Sequence, residues 1–380
     1  MAWRANLFLV SVFITALEYA GASSLDQWNA RDSGTGNNIN SVAYGSNRFI
    51  AVGQNGMILV SSNAATWNIF TSSVIKSLYG VTWGNNLFVA VGDEGSISTS
   101  SDGVTWVSQA SPTTNHLKSV EFLGARFFAV GANGTLLSSS NCSLWEAHNS
   151  GSSMVLEGIA SGNGIFCAVG GQSTHNSSIP RSLDGLTWSN QTIALGYLAD
   201  VTYGNGVFVA NGVRSQIFRS SDAINWTQHQ AGNSEYLYDT VFAQGMFVSV
   251  GGPFGGGGQK IVTSPNGIQW TPRTENVMHS GLLQGVAYGN GYFVAVGQKG
   301  LILQSAPVFG LTPATPPAAG GFQWILTGEI GRTYSFQFSP ELGGTNWTEI
   351  TNFISVNETT FLTDPATPLS FARFYRVISP

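Results

Sequence analysis

The chain has 380 residues, a net charge of −5 and 43% hydrophobic residues, which is enough for one large domain and a small one. Charged residues make up only 9% of it, against roughly 25% in an ordinary soluble domain, so Ser, Thr, Asn and Gly must form much of the surface. Nucleic acids and anionic membranes are bound by dense Lys and Arg, and the sequence contains no such cluster. The composition therefore argues against both as partners.

The N-terminus is typical of a secretory signal peptide. Arg4 precedes an apolar run from Leu7 to Leu17, and the small residues Ala20-Gly21-Ala22 follow. The apolar core of about 11 residues is too short to cross a bilayer. We therefore predict a signal peptide over residues 1–22, cleaved after Ala22, and a secreted or cell-surface protein without a membrane span.

Seven tryptophans recur about every 40 residues, and Phe-x-Ala-Val-Gly-like runs keep the same spacing. The tryptophans are Trp28, Trp67, Trp106, Trp145, Trp188, Trp226 and Trp270, and the runs begin at Phe49, Phe88, Phe127, Phe166, Phe208, Phe247 and Phe293. Alternating apolar residues and Gly/Asn punctuation predict four short strands, A to D, in each repeat. Repeats of this kind are typical of a β-propeller with four-stranded blades.

The seventh repeat predicts how the ring closes. Leu283 to Ser305 supplies strands A to C, but no Trp follows. At the other end of the chain, Gln27-Trp28-Asn29 resembles Thr105-Trp106-Val107. An N-terminal strand in that place would remove an exposed sheet edge. We predict an all-β, seven-bladed propeller over residues 23–308, closed by this strand.

Two segments carry a family resemblance. Ser101 to Trp106 and Leu183 to Trp188 resemble the Asp-box repeats of sialidase-like and photosystem II assembly-factor-like propellers, and the resemblance covers roughly residues 24–308. In that family these turns are structural, so the resemblance implies a fold and no activity. Asp102 and Trp106 lie one step closer than in the family pattern, and Asn replaces Asp at Asn63, Asn141 and Asn266. The sequence lacks the Phe/Tyr-Arg-Ile-Pro motif of sialidases and shows no grouping of arginines into their triad, which argues against that activity.

The composition changes after the propeller. Thr312 to Pro317 indicates a stiff linker within residues 309–321. Strand-like runs follow in residues 322–380. The pattern Gly331 to Tyr334, Asn346-Trp347 and Arg373 to Val377 is similar to a small β-domain that ends many secreted bacterial proteins. That resemblance implies a β-sandwich-like domain with a role in attachment or presentation.

Cys142 and Cys167 are the only cysteines. Cys142 falls in a C-to-D turn, and Cys167 takes a mid-strand place that Ile50 and Val89 hold in other repeats. We predict two free thiols. The spacing of His and Cys residues predicts no metal site, and the sequence predicts no cofactor.

The innermost strands contain a candidate site. Two positions before the repeated Val, the residues are Asn40, Tyr79, Lys118, Glu157, Ala199, Tyr238 and Gln284. The next position is small in most repeats, but it is Asp200 in the fifth and Asp239 in the sixth. Two carboxylates at the same height would lie near the mouth of the central channel. There they could bind a ligand, act on a glycosidic bond, or only accept hydrogen bonds from nearby backbone amides.

The loops also suggest a working face. In such blades the D-to-A and B-to-C connections open on one face, here called the loop face, and the other turns open on the opposite turn face. All five histidines are predicted on or beside the loop face, together with long B-to-C segments at Gly170–Pro180 and Gly251–Lys260. Loops on a rigid scaffold are where binding residues concentrate.

The sequence contains no Ser elbow, catalytic Cys-His pair or His-x-x-x-His spacing. It favours a secreted, non-enzymatic binding or scaffold propeller, a monomer that engages a glycan or an exported protein. The binding candidates are Tyr79, Lys118, Glu157, His175, Tyr238, His229 and His279. The alternative is a polysaccharide-active hydrolase or lyase at the channel mouth, with Asp200, Asp239 and His175 as catalytic candidates. An assembly factor for an exported complex is a third possibility, which the scarcity of Arg and Lys disfavours.

Overall fold

The computed structural model describes residues 24–72, 75–172, 176–194, 196–232, 235–253, 258–273, 281–306, 308, 310–313, 322–327, 333–340, 346–354, 356, 359–364 and 374–378. Contacts within the chain separate Ser24–Val308 from the part that begins at Phe309. Each unit is described by itself below.

Ser24–Val308 contains seven four-stranded antiparallel sheets, the blades of a propeller. In blades one to six the strands follow one another in chain order, because short turns join only antiparallel neighbours. The strands are β1 (Trp28–Arg31), β2 (Ile39–Gly45), β3 (Arg48–Gly53), β4 (Met57–Ser61), β5 (Asn68–Thr71), β6 (Leu78–Gly84), β7 (Leu87–Gly92), β8 (Ile97–Ser100), β9 (Val107–Gln109), β10 (Leu117–Leu123), β11 (Arg126–Gly131), β12 (Leu136–Ser139), β13 (Glu146–Ala147), β14 (Leu156–Gly162), β15 (Ile165–Gly171), β16 (Ser177–Ser182), β17 (Ser189–Ile193), β18 (Leu198–Gly204), β19 (Val207–Gly212), β20 (Gln216–Ser220), β21 (Thr227–Gln230), β22 (Glu235–Ala243), β23 (Met246–Pro253), β24 (Lys260–Ser264), β25 (Thr271–Pro272), β26 (Leu283–Gly289), β27 (Tyr292–Gly297) and β28 (Ile302–Ser305).

Short 3-10 turns occupy Ser24–Asp26, Gln54–Gly56, Asp93–Gly95, Ala132–Gly134, Val213–Ser215 and Gln298–Gly300. All but the first join strands B and C of a blade on the loop face. Among the described residues, no helix has the length and apolar character needed to cross a membrane.

Blade seven joins the two ends of the propeller, as predicted. Its sheet order is β1-β28-β27-β26, and Trp28 lies opposite Ser305 in the β1–β28 pairing. The Trp28 ring is fully buried, and its Nε1 donates to the Leu25 carbonyl at 2.8 Å. The N-terminal strand therefore fills the outer position that the C-terminal part of the repeat lacks.

The hydrophobic core lies mainly between neighbouring blades. One cluster, for example, joins Ile39 and Phe49 of blade one to Val294 and Ile302 of blade seven. Close packing requires glycine at the end of five of the seven inner strands. A Cβ on Gly45 would lie 2.0 Å from the Trp83 ring of the next blade, so no side chain fits there. Trp83 in turn packs on Phe88, with ring centroids 4.3 Å apart.

The C-to-D turns share one hydrogen-bonding scheme on the turn face. In blade two, Asp102 Oδ1 accepts from the backbone amides of Val104 and Thr105 at 2.8 and 2.7 Å, and Trp106 Nε1 donates to the Gly103 carbonyl. These amide bonds hold the pKa of Asp102 well below its usual range. Asn63, Asn141 and Asn266 accept equivalent amide bonds in blades one, three and six. The turn therefore needs the side-chain oxygen and not the charge.

This scheme predicts the effect of two substitutions at one turn. Asp102→Ala leaves the Val104 and Thr105 amides without their acceptor and should lower the Tm by about 2–4 °C, as expected for the loss of one cap-like interaction. Asp102→Asn keeps the acceptor oxygen that blades one, three and six use, so its Tm should match the wild type. Differential scanning calorimetry on both variants would make the comparison, and equal losses would contradict it.

The part of the chain after Phe309 contains two three-stranded sheets. Their strands are β29 (Gly310–Pro313), β30 (Phe322–Thr327), β31 (Thr333–Ser339), β32 (Thr348–Ile354), β33 (Thr359–Asp364) and β34 (Phe374–Ile378), in the orders β29-β30-β33 and β32-β31-β34. A core that includes Trp324, Tyr334 and Phe336 draws on both sheets. Gly310–Pro313 falls within the segment predicted as a linker, but it pairs with β30 as a strand.

Both cysteines are buried free thiols, as predicted. Cys167 is fully buried within β15, and Cys142 lies in a C-to-D turn with a φ of 63°. Burial raises the pKa of each thiol to about 12, which keeps both protonated.

Candidate functional site: the mouth of the central channel

The innermost strand of each blade lies next to those of the two neighbouring blades, so that the seven strands form a ring. They enclose a cavity of about 500 Å³. These strands are β2, β6, β10, β14, β18, β22 and β26. Each of these strands carries the same irregularity near its start. In blade three, for example, Leu117 pairs with Gly131 and Ser119 with Val130, so Lys118 is an extra residue without a partner in the ladder. Such a bulge re-aims a side chain.

The seven extra residues form one set, which we call the bulge ring. All seven line the cavity, and they are the residues that the sequence placed on the inner strands: Asn40, Tyr79, Lys118, Glu157, Ala199, Tyr238 and Gln284. Because each bulge lies where strand A begins, beside the D-to-A connection, the bulge ring is at the loop-face end of the channel. The repeat thus presents one side chain per blade at this mouth.

Polar contacts link one arc of the bulge ring. The Lys118 ammonium lies over the Tyr79 ring, with Nζ 4.4 Å from the centroid. Tyr79 hydrogen-bonds Asp93, and burial together with that carboxylate raises the pKa of Tyr79 to about 12. On the other side, Glu157 accepts a hydrogen bond from Tyr197, and burial raises the pKa of Glu157 while Lys118 and Tyr197 oppose the rise. Lys118 is therefore already engaged by Tyr79 and Glu157.

Blade six adds an aromatic pair to the mouth. Tyr236 and Tyr238 stack with ring centroids 6.2 Å apart and an interplanar angle of 19°. Tyr238 lines the cavity and is half-buried, and its surroundings raise its pKa mainly through burial. Together with the polar side chains of the bulge ring, the two tyrosine rings form a wall of the mouth that is partly apolar and partly able to hydrogen-bond.

Asp200 and Asp239 lie side by side on the cavity wall and tie neighbouring blades together. Asp200 Oδ2 accepts from the Thr240 amide at 3.0 Å, and Asp239 Oδ2 accepts from the Val286 amide at 2.7 Å. The smaller Ser41 makes the same kind of contact with the Val81 amide. Burial, and for Asp200 also the charge of Asp239, raises the pKa of both.

Space for the Asp200 carboxyl comes from the preceding blade. A Cβ on Gly158 would lie only 2.8 Å from Asp200 Oδ1. Because the repeat has a small residue at this position, Gly158 leaves room for the Asp200 carboxylate of the next blade.

A fourth carboxyl lies in the channel beside Glu157, Asp200 and Asp239, and it was not predicted from the sequence. Glu121 lines the cavity, and its Oε2 accepts from Thr82 Oγ1 at 3.1 Å. Burial is the main cause that raises the pKa of Glu121 to about 8, and Asp239 adds to it. The equivalent positions in the other blades hold Ala43, Thr82, Ala160, Thr202, Val241 and Ala287. One carboxylate among small and apolar residues was the signal that could have revealed it.

The described histidines, His116, His148 and His229, are not among the residues that line the cavity. His229 lies in the outermost strand β21, opposite Ile217, and is not among the residues that line the cavity. Its Nε2 is 3.2 Å from Thr227 Oγ1. His116 Nδ1 contacts Asp93 Oδ1 at 2.9 Å, close to the arc around Tyr79. His175 and His279 lie outside the described residues.

The two segments predicted as long B-to-C loops are partly strand. Gly171 pairs with Ser177 and Gly251 with Lys260, so the hairpins of blades four and six extend toward the loop face. Within the part of the chain that the structure describes, no three His, Cys, Asp or Glu side chains are arranged to hold a metal ion.

The fold defines the chain as an all-β, seven-bladed propeller, and solved structures agree. It is similar to YCF48 bound to a D1 peptide, at 15% identity and a TM-score of 0.60, over 78% of this chain and 99% of that one. YCF48 from Cyanidioschyzon merolae matches at 13% identity and a TM-score of 0.57, over 73% of this chain and 98% of that one. The WD40 β-propeller domain of Doa1 matches at 14% identity and a TM-score of 0.56, over 73% and 96%. No family model and no curated protein sequence matches the chain. At these identities the likeness shows the fold alone.

Proposed function

We propose that the chain is a non-enzymatic binding propeller, exported from the cell, that receives a glycan or an exported protein at the bulge ring. The observation that carries the proposal is the placement of one bulged side chain from every blade on the wall of a single cavity. Pockets of several hundred Å³ with aromatic faces and a few polar groups are typical binding sites. One of the structurally similar proteins was solved with a peptide bound, which supports a binding role for this type of scaffold.

Export rests on the N-terminal sequence, since residues 1–23 are outside the described part. The pattern of Arg4, the apolar run and Ala22 supports a signal peptide. Comparing the N-terminal residue of the protein recovered from the medium with that of the cellular precursor would test it. A mature chain that begins at Ser23 is the expected result, and a protein that keeps Met1 in the cytoplasm would contradict export.

The Tyr238→Ala variant tests the binding site. We expect it to reduce capture of the partner about tenfold or more, because the side chain supplies a large aromatic face to the cavity. Its Tm should stay close to that of the wild type, since Tyr238 is an unpaired bulge residue and not part of the inter-blade core. The measurement is a glycan-array and peptide-array screen of both proteins, followed by an affinity measurement on the strongest hit.

A matched substitution controls for loss of aromatic surface elsewhere. Tyr292→Ala also removes a half-buried tyrosine, but Tyr292 lies at the start of β27 and does not line the cavity. Equal losses of capture in the two variants would contradict a site at the bulge ring. The same screen scores new reducing or unsaturated sugar ends, because the neighbouring carboxyls of Asp200 and Asp239 on the cavity wall are the one observation that favours the polysaccharide-active alternative.

A further inference from the structure

The charges on the cavity wall are unbalanced. Four carboxyls line the cavity, those of Glu121, Glu157, Asp200 and Asp239, and Lys118 is the one cationic side chain among its described lining residues. Lys118 already faces Tyr79 and lies close enough to Glu157 to lower its pKa. That leaves Glu121, Asp200 and Asp239 without a basic side chain of their own on the described wall.

A second observation on the same wall points to a missing donor. Gln284 Oε1 is inaccessible to solvent and accepts no hydrogen bond from the described residues. Gln284 belongs to the bulge ring, in the blade next to that of Asp239. Leaving a buried acceptor unpaired is costly. Because Oε1 is closed to solvent here, a donor in the cavity can pair with it only after the partly exposed Gln284 side chain turns toward the cavity.

The raised pKa values describe the same imbalance. Burial and the neighbouring carboxyls raise the pKa of Glu121 to about 8 and that of Asp200 well above its usual value. A positive charge within about 4–6 Å would reverse those shifts. The channel is therefore rich in acceptors and negative charge and poor in donors.

We propose that the channel takes a side-chain ammonium or guanidinium group of a polypeptide partner, with Glu121, Asp200 and Asp239 as its counter-charges. Gln284 Oε1 becomes a further acceptor once its side chain turns toward the cavity. This inference rests on the proposed function, because it names the group that the bulge ring would receive. A Lys or Arg side chain carries several N–H donors on a long apolar stem. The stem fits a mouth lined by Tyr79 and Tyr238, and the ring face of Tyr238 also attracts cations.

Isothermal titration calorimetry with three blocked pentapeptides tests the inference on the purified protein. The probes are acetyl-Gly-Gly-X-Gly-Gly-amide with X as lysine, arginine or the neutral norleucine. We expect the lysine or arginine peptide to bind at least about tenfold more tightly than the norleucine peptide, because charge-assisted hydrogen bonds are the strong ones. Equal affinity for all three peptides would overturn the inference.

Two carboxyl variants locate the effect. Glu121→Gln should lower the affinity for the cationic peptide about tenfold, because it removes one counter-charge without removing a backbone tether. Glu146→Gln removes the same charge from the outermost strand β13, where Glu146 pairs with Arg126, and should leave the affinity unchanged. Thermal unfolding of both variants verifies that they fold. If Glu121→Gln does not fold, Asp239→Asn provides a second cavity variant. Equal effects of Glu121→Gln and Glu146→Gln would overturn the inference.

Two further probes separate the possible sources of the cation. Binding of n-butylammonium as tightly as the lysine peptide would assign the channel to small amines and overturn the polypeptide partner. Calcium that binds at the channel, while the peptides do not, would also overturn it. If no peptide binds but Tyr238 remains necessary for glycan capture, the inference fails and the proposed function stands. If Tyr238→Ala changes nothing with any ligand, both fail.

Discussion

Replacing Trp28 with Ala is expected to lower the Tm of the propeller by about 10 °C. The Trp28 side chain is fully buried in the core of blade seven, and truncating a buried Trp costs about 3–5 kcal/mol. For a domain of this size each kcal/mol corresponds to roughly 2–4 °C. Trp28 also anchors β1, the strand that joins the two ends of the ring. Calorimetry on the wild type and the variant measures the shift.

A tryptophan from the same repeat position provides the control. Trp226 of blade five is only partly buried, and its Nε1 has no hydrogen-bond partner among the described residues. Its blade consists of four strands that are consecutive in the chain, so Trp226→Ala weakens one sheet without opening the ring. We expect a smaller loss of Tm for Trp226→Ala. A Trp28→Ala loss no larger than that of Trp226→Ala would contradict the importance of ring closure.

The second large effect concerns pH. The pKa of Glu121 is raised from 4.5 to about 8 by burial, so between these values the folded state holds a proton that the unfolded state has released. Proton linkage then makes the free energy of unfolding fall as the pH rises through this window. The stability is fully present below about pH 4.5 and is lost by about pH 8. For this one group the change is on the order of 2–4 kcal/mol.

Glu121→Gln isolates that contribution, because glutamine keeps the shape of the protonated carboxyl and does not titrate. At pH 8 the variant should be more stable than the wild type by on the order of 2–4 kcal/mol, and near pH 5 the two should be similar. Asp200 and Asp239 also have raised pKa values and act in the same direction, so the difference between the proteins is the quantity to measure. Urea unfolding at pH 5, 6, 7 and 8 provides it, with Glu146→Gln as the surface control. A constant difference across the four pH values would contradict the assignment to Glu121.

The propeller was predictable because its physical requirements repeat. The Phe of each B strand and the Trp at or just before each D strand return at nearly constant spacing, and the structure confirms seven blades and closure by Trp28. The linker was predicted from Pro-rich composition alone. Gly310–Pro313 pairs with β30, a long-range contact that composition does not encode.

The site was predictable only in part. Comparing blades identified the residues of the bulge ring, because every blade has an extra residue at that point and the seven side chains differ. Glu121 was missed because the comparison stopped one position short of it, although its neighbours in other blades are mostly small and apolar. The sequence predicted His229 on or beside the loop face but could not show whether it reaches the cavity, since position near a predicted loop does not reveal which strand of a blade holds a side chain.

Ring closure also sets an order of folding events. Blades one to six each consist of consecutive strands, whereas Arg31 of β1 and Gln304 of β28 are 273 residues apart. Bringing such distant segments together from the unfolded chain costs about 3 kcal/mol more loop entropy than closing a 10-residue hairpin. We therefore expect local sheets to form first and the β1–β28 pairing last. Until that step, the edges of β1 and β28 are open to strands of other chains, so we expect ring closure to be the step of folding most exposed to aggregation.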